Sequence, residues 1–417
     1  MTRPSGRPFR LFEVVGLELE YPVVDRDLVP RCLVEPAFRL FHGRPTSDIE
    51  FDNVGFSNEL AAHVFEIKTV EPERTLDRAE RALVRGLGRF AALLRDEYGA
   101  RLLPTGMHPF MRPGQTQLWP RAGRRIYRTY DRIFGVRGHG WLNVQASHVN
   151  LPFGTEEETV ALHNAIACLL PYLPALAASS PIVEGRIGPY VDNRLAFYRT
   201  NQRRIPQITA DVIPEFVGSF REYRTRILRP IYRLLDVVPG GDVIQHEWVN
   251  SRGAIVRFMR QAIEIRVLDV QECVRADVAI AVFVRGVLRW MVEQIRSGAM
   301  PLPPHHLLVA DLGRTIRSGS LARVAAPHLP ARRRGQPNTA RDVLEVLLER
   351  AEHRVAATER PYLTLIAGRI RQGTLSERIA AAVRRRAPRT GQRQREAIRG
   401  VYEELAVCLE GNEVWTG

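Results

Sequence analysis

Glu18 and Glu20 stand two residues apart in the run FEVVGLELEYPVVD (residues 12–25), which is otherwise apolar and rich in β-branched residues. In a strand, side chains at i and i+2 share a face, so both carboxylates point one way while Leu17, Leu19 and Tyr21 point the other. Carboxylates held side by side repel unless the strand is a solvated edge or a cation compensates them. Three further stretches repeat the pattern. SNELAAHVFEIKT (57–69) supplies Glu59 and Glu66, QASHVNLPF (145–153) supplies His148 with Asn150 on the same face, and AIEIRVLD (262–269) sets Glu264 and Arg266 opposite Ile263, Ile265 and Val267. Taken singly, each has an ordinary reading: an exposed strand glutamate, a hydrogen-bonded core histidine, a same-face ion pair. Together they describe a sheet whose concave face binds cations. Hard carboxylate oxygens with few histidines and no thiolate favour Mg²⁺ or Mn²⁺ over zinc, and Mg²⁺ commonly bridges protein carboxylates to substrate phosphates. Arg266 adds a fixed fork for phosphate oxygens. The chemistry read from these residues is phosphoryl transfer.

Strands alternating with helices must carry these groups. HVFEIKTV (63–70) predicts a strand, followed by a helix from Thr75 with Leu83, Leu87, Phe90 and Leu94 on one face and Gly99 as its stop. RLLPTGMHPF (101–110) is strand-like up to a turn, GWLNVQASHVNLPF (140–153) predicts another strand, and Thr155 with Glu158 forms a capping box at the next helix. AIVRFMRQAIEIRVLDV (254–270) holds one or two strands, and from about residue 275 the pattern is helical, with a second capping box at Thr374 and Glu377. The apolar stretch ALHNAIACLLPYLPALAASSPI (161–182) carries His163 and Asn164 and is broken by Pro171 and Pro174, which fits a buried helix and not a membrane span. The loop PHLPARRRGQPNTA (327–340) is the segment expected to be most flexible. No repeat and no sharp shift of composition divides the chain.

With 417 residues, 45% hydrophobic and 25% charged, the chain reads as a globular protein able to bury a large core. Its 60 basic residues outnumber 46 acidic ones, yet Lys68 is the only lysine, so the excess reflects an arginine-biased composition and not a binding face. The clusters Arg332 to Arg334 and Arg384 to Arg386 have no interleaved aromatics, so specific nucleic-acid binding is not expected. Cys32, Cys168, Cys273 and Cys408 lie far apart and fit reduced thiols of a cytoplasmic protein. MTRPSGRPFRLFEVV has no apolar h-region, so no secretory signal is expected, and no membrane partner.

The ordered set GLELEYPVVD, NELAAHVFEIKT, GMHPF, HVNLPF, LLPYLPALAASSPIVEG with the following DNR, and AIEIRVLD resembles the type 2 glutamate–cysteine ligases, or carboxylate-amine ligases, which share the glutamine synthetase fold. The resemblance covers roughly residues 12 to 275. It implies an α+β protein: a curved, mainly antiparallel sheet with a metal-binding concave face, flanked by helices, in a ligase core over residues 1–300, with a helical region over 301–417 packed on it. It implies ATP and two or three Mg²⁺ or Mn²⁺ ions. Glu20, Glu59 and Glu66 would hold one metal, and Glu18, His148 and Glu264 the metal or metals nearer the ATP phosphates. Arg266 would sit on the transferring phosphoryl group, Arg194 on the acyl substrate or the phosphate, and His108 of the GMHP turn, where the family usually reads Gly-Thr-His-Pro, would line the same cleft. The substrates would be an amino acid or other small carboxylate and an amine, joined through an acyl phosphate. Two positions depart from the pattern: Asn150 stands where the family commonly has a second histidine, and Lys68 brings a cation into the cleft. Lys68 reads either as a salt bridge to one of the glutamates or as a phosphate contact. Both positions fall near the nucleotide or acyl substrate, and they put glutamate and cysteine in question. An idle regulatory protein on the same scaffold and a two-metal hydrolase stay open, as does a homo-oligomer.

Overall fold

The computed structural model describes residues 8–121, 123–330, 338–389 and 391–417; the cluster Arg332 to Arg334, with most of its loop, lies outside them. Alternating apolar residues build one antiparallel sheet. Its strands are β1 (Gly16–Val24), β2 (Asp48–Phe51), β3 (Val54–Asn58), β4 (Val64–Thr69), β5 (Arg101–Leu102), β6 (Ala146–Pro152), β9 (Ala254–Arg257) and β10 (Ala262–Asp269). Between β6 and β9 in the chain, β7 (Ile182–Val183) and β8 (Arg186–Ile187) form a separate small hairpin. The spatial order is β2-β3-β4-β1-β6-β10-β9, with β5 pairing to the end of β1. The fold is α+β.

Register decides which residues meet. Glu18 pairs with Lys68 on one side and His148 on the other, Glu20 pairs with Glu66, Ser57 with Glu66, and Glu264 with Asn150. Because the side-chain period of a strand is two, these groups share one face. The opposite face carries Leu17, Leu19, Phe65, Ile67, Val149 and Ile263, all fully or almost fully buried. The helices Leu76–Tyr98, Glu156–Leu169 and Val274–Arg296 cover it. Gly86 lets the first of these lie close, since a Cβ there would collide with Val54.

The helix Leu76–Tyr98 starts after Thr75, buries Leu83, Leu87, Phe90 and Leu94, and ends at Gly99 in the left-handed region. Thr155 caps Glu156–Leu169 as expected, but Glu158 closes the turn by accepting from Gly154 N, so the box is not reciprocal. The box at Thr374 and Glu377 is complete. The expected strand over 140–153 is shorter: residues His139–Leu142 turn helically and pairing starts at Ala146. The stretch 254–270 is two strands, with Gln261 at φ 52° in the turn between them.

C-terminal helices complete the core. Residues of His305–Ser318, Ala340–Glu352 and Arg360–Gln372 join the same apolar cluster as the sheet, and a second cluster ties Leu375, Ile379, Tyr402 and Leu405 to Val24, Leu28 and Leu103. The stretch 161–182 is buried, and among the described residues no helix is long and apolar enough to cross a membrane.

Candidate active site

Among the described residues, two groups of three side chains offer ligand atoms within 4.8 Å of one another: Glu20, Glu59 and Glu66, and Glu18, Glu66 and His148. Cross-strand pairing brings four of these five together, and Glu59 reaches in from the loop between β3 and β4. Glu66 is common to both groups.

The environments differ along the row. Glu18 accepts from His148 Nδ1 at 3.1 Å, Asn150 Nδ2 at 3.3 Å and Arg260 Nη1 at 3.3 Å. Burial alone would raise its pKa, but the hydrogen bond and charge of His148, with Arg260 and Lys68, hold it well below the carboxylate range. Glu20 accepts from Ala146 N at 2.8 Å, with His148 Nε2 at 3.8 Å. Glu66 accepts from Ser57 Oγ at 2.8 Å and Lys68 Nζ at 3.1 Å, yet burial and the Glu18 charge push it up to about 7. Glu59 has a 3.4 Å contact from Leu60 N, and burial with Glu20 and Glu66 raises it well above the usual range. His148 is raised: burial works against its charged form, but Glu18, Glu20 and Glu264 outweigh it.

Protons held on crowded carboxylates are what a divalent cation replaces. The donor set is carboxylate oxygen with one imidazole, and Asn150 Oδ1 is buried without a partner beside Glu18. Such donors fit Mg²⁺ or Mn²⁺.

Two hollows flank the row. Glu20, Glu59, His148, Arg194 and Arg266 line a cleft of about 380 Å³, whereas Glu18, Asn150 and Arg260 border a second hollow of about 280 Å³ with Leu17, Val70 and Met259. The two carboxylates of β1 share a face but serve different hollows.

Three expected placements change. Glu264 lies between Arg257 and Arg266 Nε (3.1 Å), outside both groups, and Glu66 takes its place beside Glu18 and His148. The reason is local: β9 sets Arg257 against β10, and two guanidiniums saturate the carboxylate. His108 does not line the cleft. It is buried with Nε2 on Leu28 O at 2.8 Å while Nδ1 accepts from Phe110 N and Met111 N, so both ring nitrogens serve the backbone. Arg194 borders the cleft with its two Nη groups on Asp269 Oδ1 (3.2 Å), Val267 O (3.4 Å) and Arg266 O (3.0 Å), contacts that suit a positioning role, while its Nε is buried without a partner. The GMHP turn supports that arrangement: a Cβ at Gly106 would collide with the Asp269 carboxylate. Lys68 makes the salt bridge, to Glu66 and more distantly to Asp48 at 3.6 Å.

A model of the glutamate–cysteine ligase family 2 matches residues 14–404. The chain belongs to that family. An uncharacterized family relative from Archaeoglobus fulgidus is 37% identical over 402 residues, covering 96% of this chain and all of that one. A Streptomyces coelicolor protein provisionally named glutamate–cysteine ligase 2 is 27% identical over 398 residues, covering 89% and 98%. The fold is shared with the glutamate–cysteine ligase of Francisella tularensis, solved in complex with AMP (TM-score 0.63, 13% identity, 96% of this chain and 89% of that one). It is also shared with a bifunctional glutathione synthetase from Pasteurella multocida (TM-score 0.62, 13% identity, 96% and 53%).

Sequence reasoning missed Arg257, Arg260 and Ser57, which balance the carboxylates of this family member, and the aromatic side chains that wall its cleft. Arg257 had a signal, since its strand alternates in step with β10. Arg260 had none: it meets Glu18 across 242 residues of chain.

Proposed function

We propose that this protein is an ATP- and Mg²⁺-dependent carboxylate–amine ligase that forms an amide through an acyl phosphate. The observation that carries the reading is the row of Glu18, Glu20, Glu59, Glu66 and His148 between two hollows, with Arg266 at its edge. The hollow on the Glu18 side, apolar on one wall and bordered by Arg260, suits a nucleotide base and its phosphates; the cleft on the Glu20 side suits the acyl and amine substrates.

A substrate carboxylate oxygen attacks the γ-phosphorus of ATP, the bond to the bridging oxygen breaks, and ADP leaves with that electron pair. The amine nitrogen then attacks the acyl carbon, the bond to phosphate breaks, and phosphate and one amine proton are released. Metal ions held by the five residues would supply neutralisation of phosphate charge and polarisation of the γ-phosphoryl group. Arg266, kept charged against the effect of burial by the Glu264 and Glu20 carboxylates, donates to the oxygens on which charge accumulates. Arg194 and Asp269 fix the backbone that presents it. Lys68 keeps Glu66 turned toward the row.

Incubation of the purified chain with Mg²⁺, ATP and a panel of carboxylates and amines tests this. Expected are ADP and phosphate, with ¹⁸O moving from the substrate carboxylate into phosphate. Release of AMP and pyrophosphate overturns the acyl-phosphate route, and hydrolysis without amide product would mark a hydrolase.

A further inference from the structure

The walls of the larger cleft are aromatic. Tyr127 and Tyr130 come from the helix Arg124–Phe134, and Trp141, Tyr198 and Trp248 complete the lining. Tyr130 lies 5.3 Å from Trp141 and 6.3 Å from Trp248, ring centre to ring centre, which makes one continuous wall. The polar atoms of three rings are engaged elsewhere: Trp141 Nε1 donates to Asn201 O (3.1 Å), Tyr198 OH to Ser251 O (2.8 Å), and Tyr127 OH accepts from Asn58 Nδ2 (3.0 Å). What they offer a ligand is ring surface, together with the Tyr127 O–H, which is still able to donate.

Fixed charge in the cleft is limited to a few side chains. Of the described residues lining the cleft, the charged and titratable groups apart from phenols are Glu20, Glu59, His148, Arg194 and Arg266. The first three belong to the ligand row, Arg194 is bound to Asp269 through Nη1 with its Nε left without a partner, and Arg266 is the guanidinium proposed above to meet the reacting group. A substrate such as glutamate brings a second carboxylate and an ammonium, and burying either without an ionic partner is costly. Beyond those five, no charged side chain among the described residues lines the cleft. Gln202 lies there, with Nε2 committed to Ser251 Oγ (2.8 Å) and Oε1 buried without a partner, an acceptor for a hydroxyl or amine.

We infer that the acyl substrate is an aryl-bearing carboxylate, whose carboxylate meets Arg266 while its ring packs on the wall of Tyr130, Trp141 and Trp248. The cleft, at about 380 Å³, has room for a single-ring acid. The inference rests on the ligase reading for its chemistry, but binding of the ring does not.

Two measurements on the full chain separate them. Calorimetry with Mg²⁺ and a non-hydrolysable ATP analogue reads binding of L-phenylalanine, L-tyrosine, 4-hydroxyphenylacetate and L-glutamate; ADP release with Mg²⁺–ATP and an amine panel reads turnover. We expect at least one aryl acid to bind and to be used at least tenfold more efficiently than L-glutamate. Trp248→Ala should weaken that acid's binding about tenfold, and Trp248→Phe, which keeps a ring, should retain most of it. If an aryl acid binds but no acid supports ADP release, the ligase reading falls and the aromatic subsite stands. If L-glutamate is the better substrate, or no aryl acid binds, the inference falls and the ligase reading stands wherever ADP is formed.

Discussion

Glu18 and Glu20 leave the same strand on the same face, yet their surroundings are opposite in character. Glu18 is compensated within the protein by His148, Arg260 and the Asn150 amide. Toward Glu20 and Glu59, direct compensation is thinner: a backbone N–H apiece, with the His148 ring at 3.8 Å from Glu20 and the charges of Arg266 and Lys68 acting without an ion-pair contact. Glu66 stands between, touched by Lys68 and still pushed up to about 7. Strand alternation therefore places charge on a face, while the segments crossing that face decide whether the charge stays ionised. At the Glu18 end a cation would enter among protein cations; at the Glu59 end it would replace protons.

The largest effect should be shared by both ends. Glu18→Gln and Glu20→Gln should each lower kcat/KM for ADP release by at least about a hundredfold, the scale of losing a group that stabilises transition-state charge. Wild-type turnover in either variant would remove that residue from the reacting site.

Stability should then separate the ends. Alternation alone suggests that deleting any of these crowded carboxylates relieves repulsion. For Glu18 the structure reverses that expectation: Glu18→Gln leaves His148 and Arg260 without their carboxylate and should cost about 1–3 kcal/mol. Glu59→Gln removes a carboxyl whose ionisation is opposed by burial and by the Glu20 and Glu66 charges, and should leave metal-free stability unchanged or higher. Denaturant melts in EDTA measure both. Equal losses would mean that the two ends do not differ.

Much of this face could be read from the chain. Period-two alternation in four stretches put Glu18, Glu20, Glu66, His148 and Glu264 on one side of a sheet, because a strand's two faces have different solvents. Local reading failed where a partner came from a distant turn, as with Arg260, and where a polar residue served the backbone. The His108 ring fits a catalytic turn by type, but three bonds to Leu28, Phe110 and Met111 consume it. The aromatic wall was invisible for a related reason: Tyr127, Tyr198 and Trp248 come from separate segments with no common period.

The smallest effect is the most discriminating, because it depends on pH. Glu66 has its pKa raised from the ordinary 4.5 to about 7 by burial and the Glu18 charge. The folded state thus holds a proton that the unfolded state gives up near pH 4.5. That contribution is full below about pH 4.5 and is lost as pH rises through about 7, with an upper bound on the order of 3 kcal/mol. His148, also raised, adds a loss of the same sign, since its stabilisation is present below 6.5 and fades as pH passes its folded value. Glu18, held low, contributes stability lost only in acid, so it is constant across this window. Metal-free protein should therefore melt at falling temperature between about pH 5 and 8. Binding of Mg²⁺ competes with the proton on Glu66, so the rise in melting temperature caused by Mg²⁺ should be small near pH 5 and grow through about 7. Lys68→Met, by removing the cation that lowers Glu66, should move that growth to higher pH. Melts in EDTA and in MgCl₂ across the range decide it. If the metal-free melting temperature rises over the window instead, Glu66 is ionised throughout, and the contrast between the two ends of the row disappears.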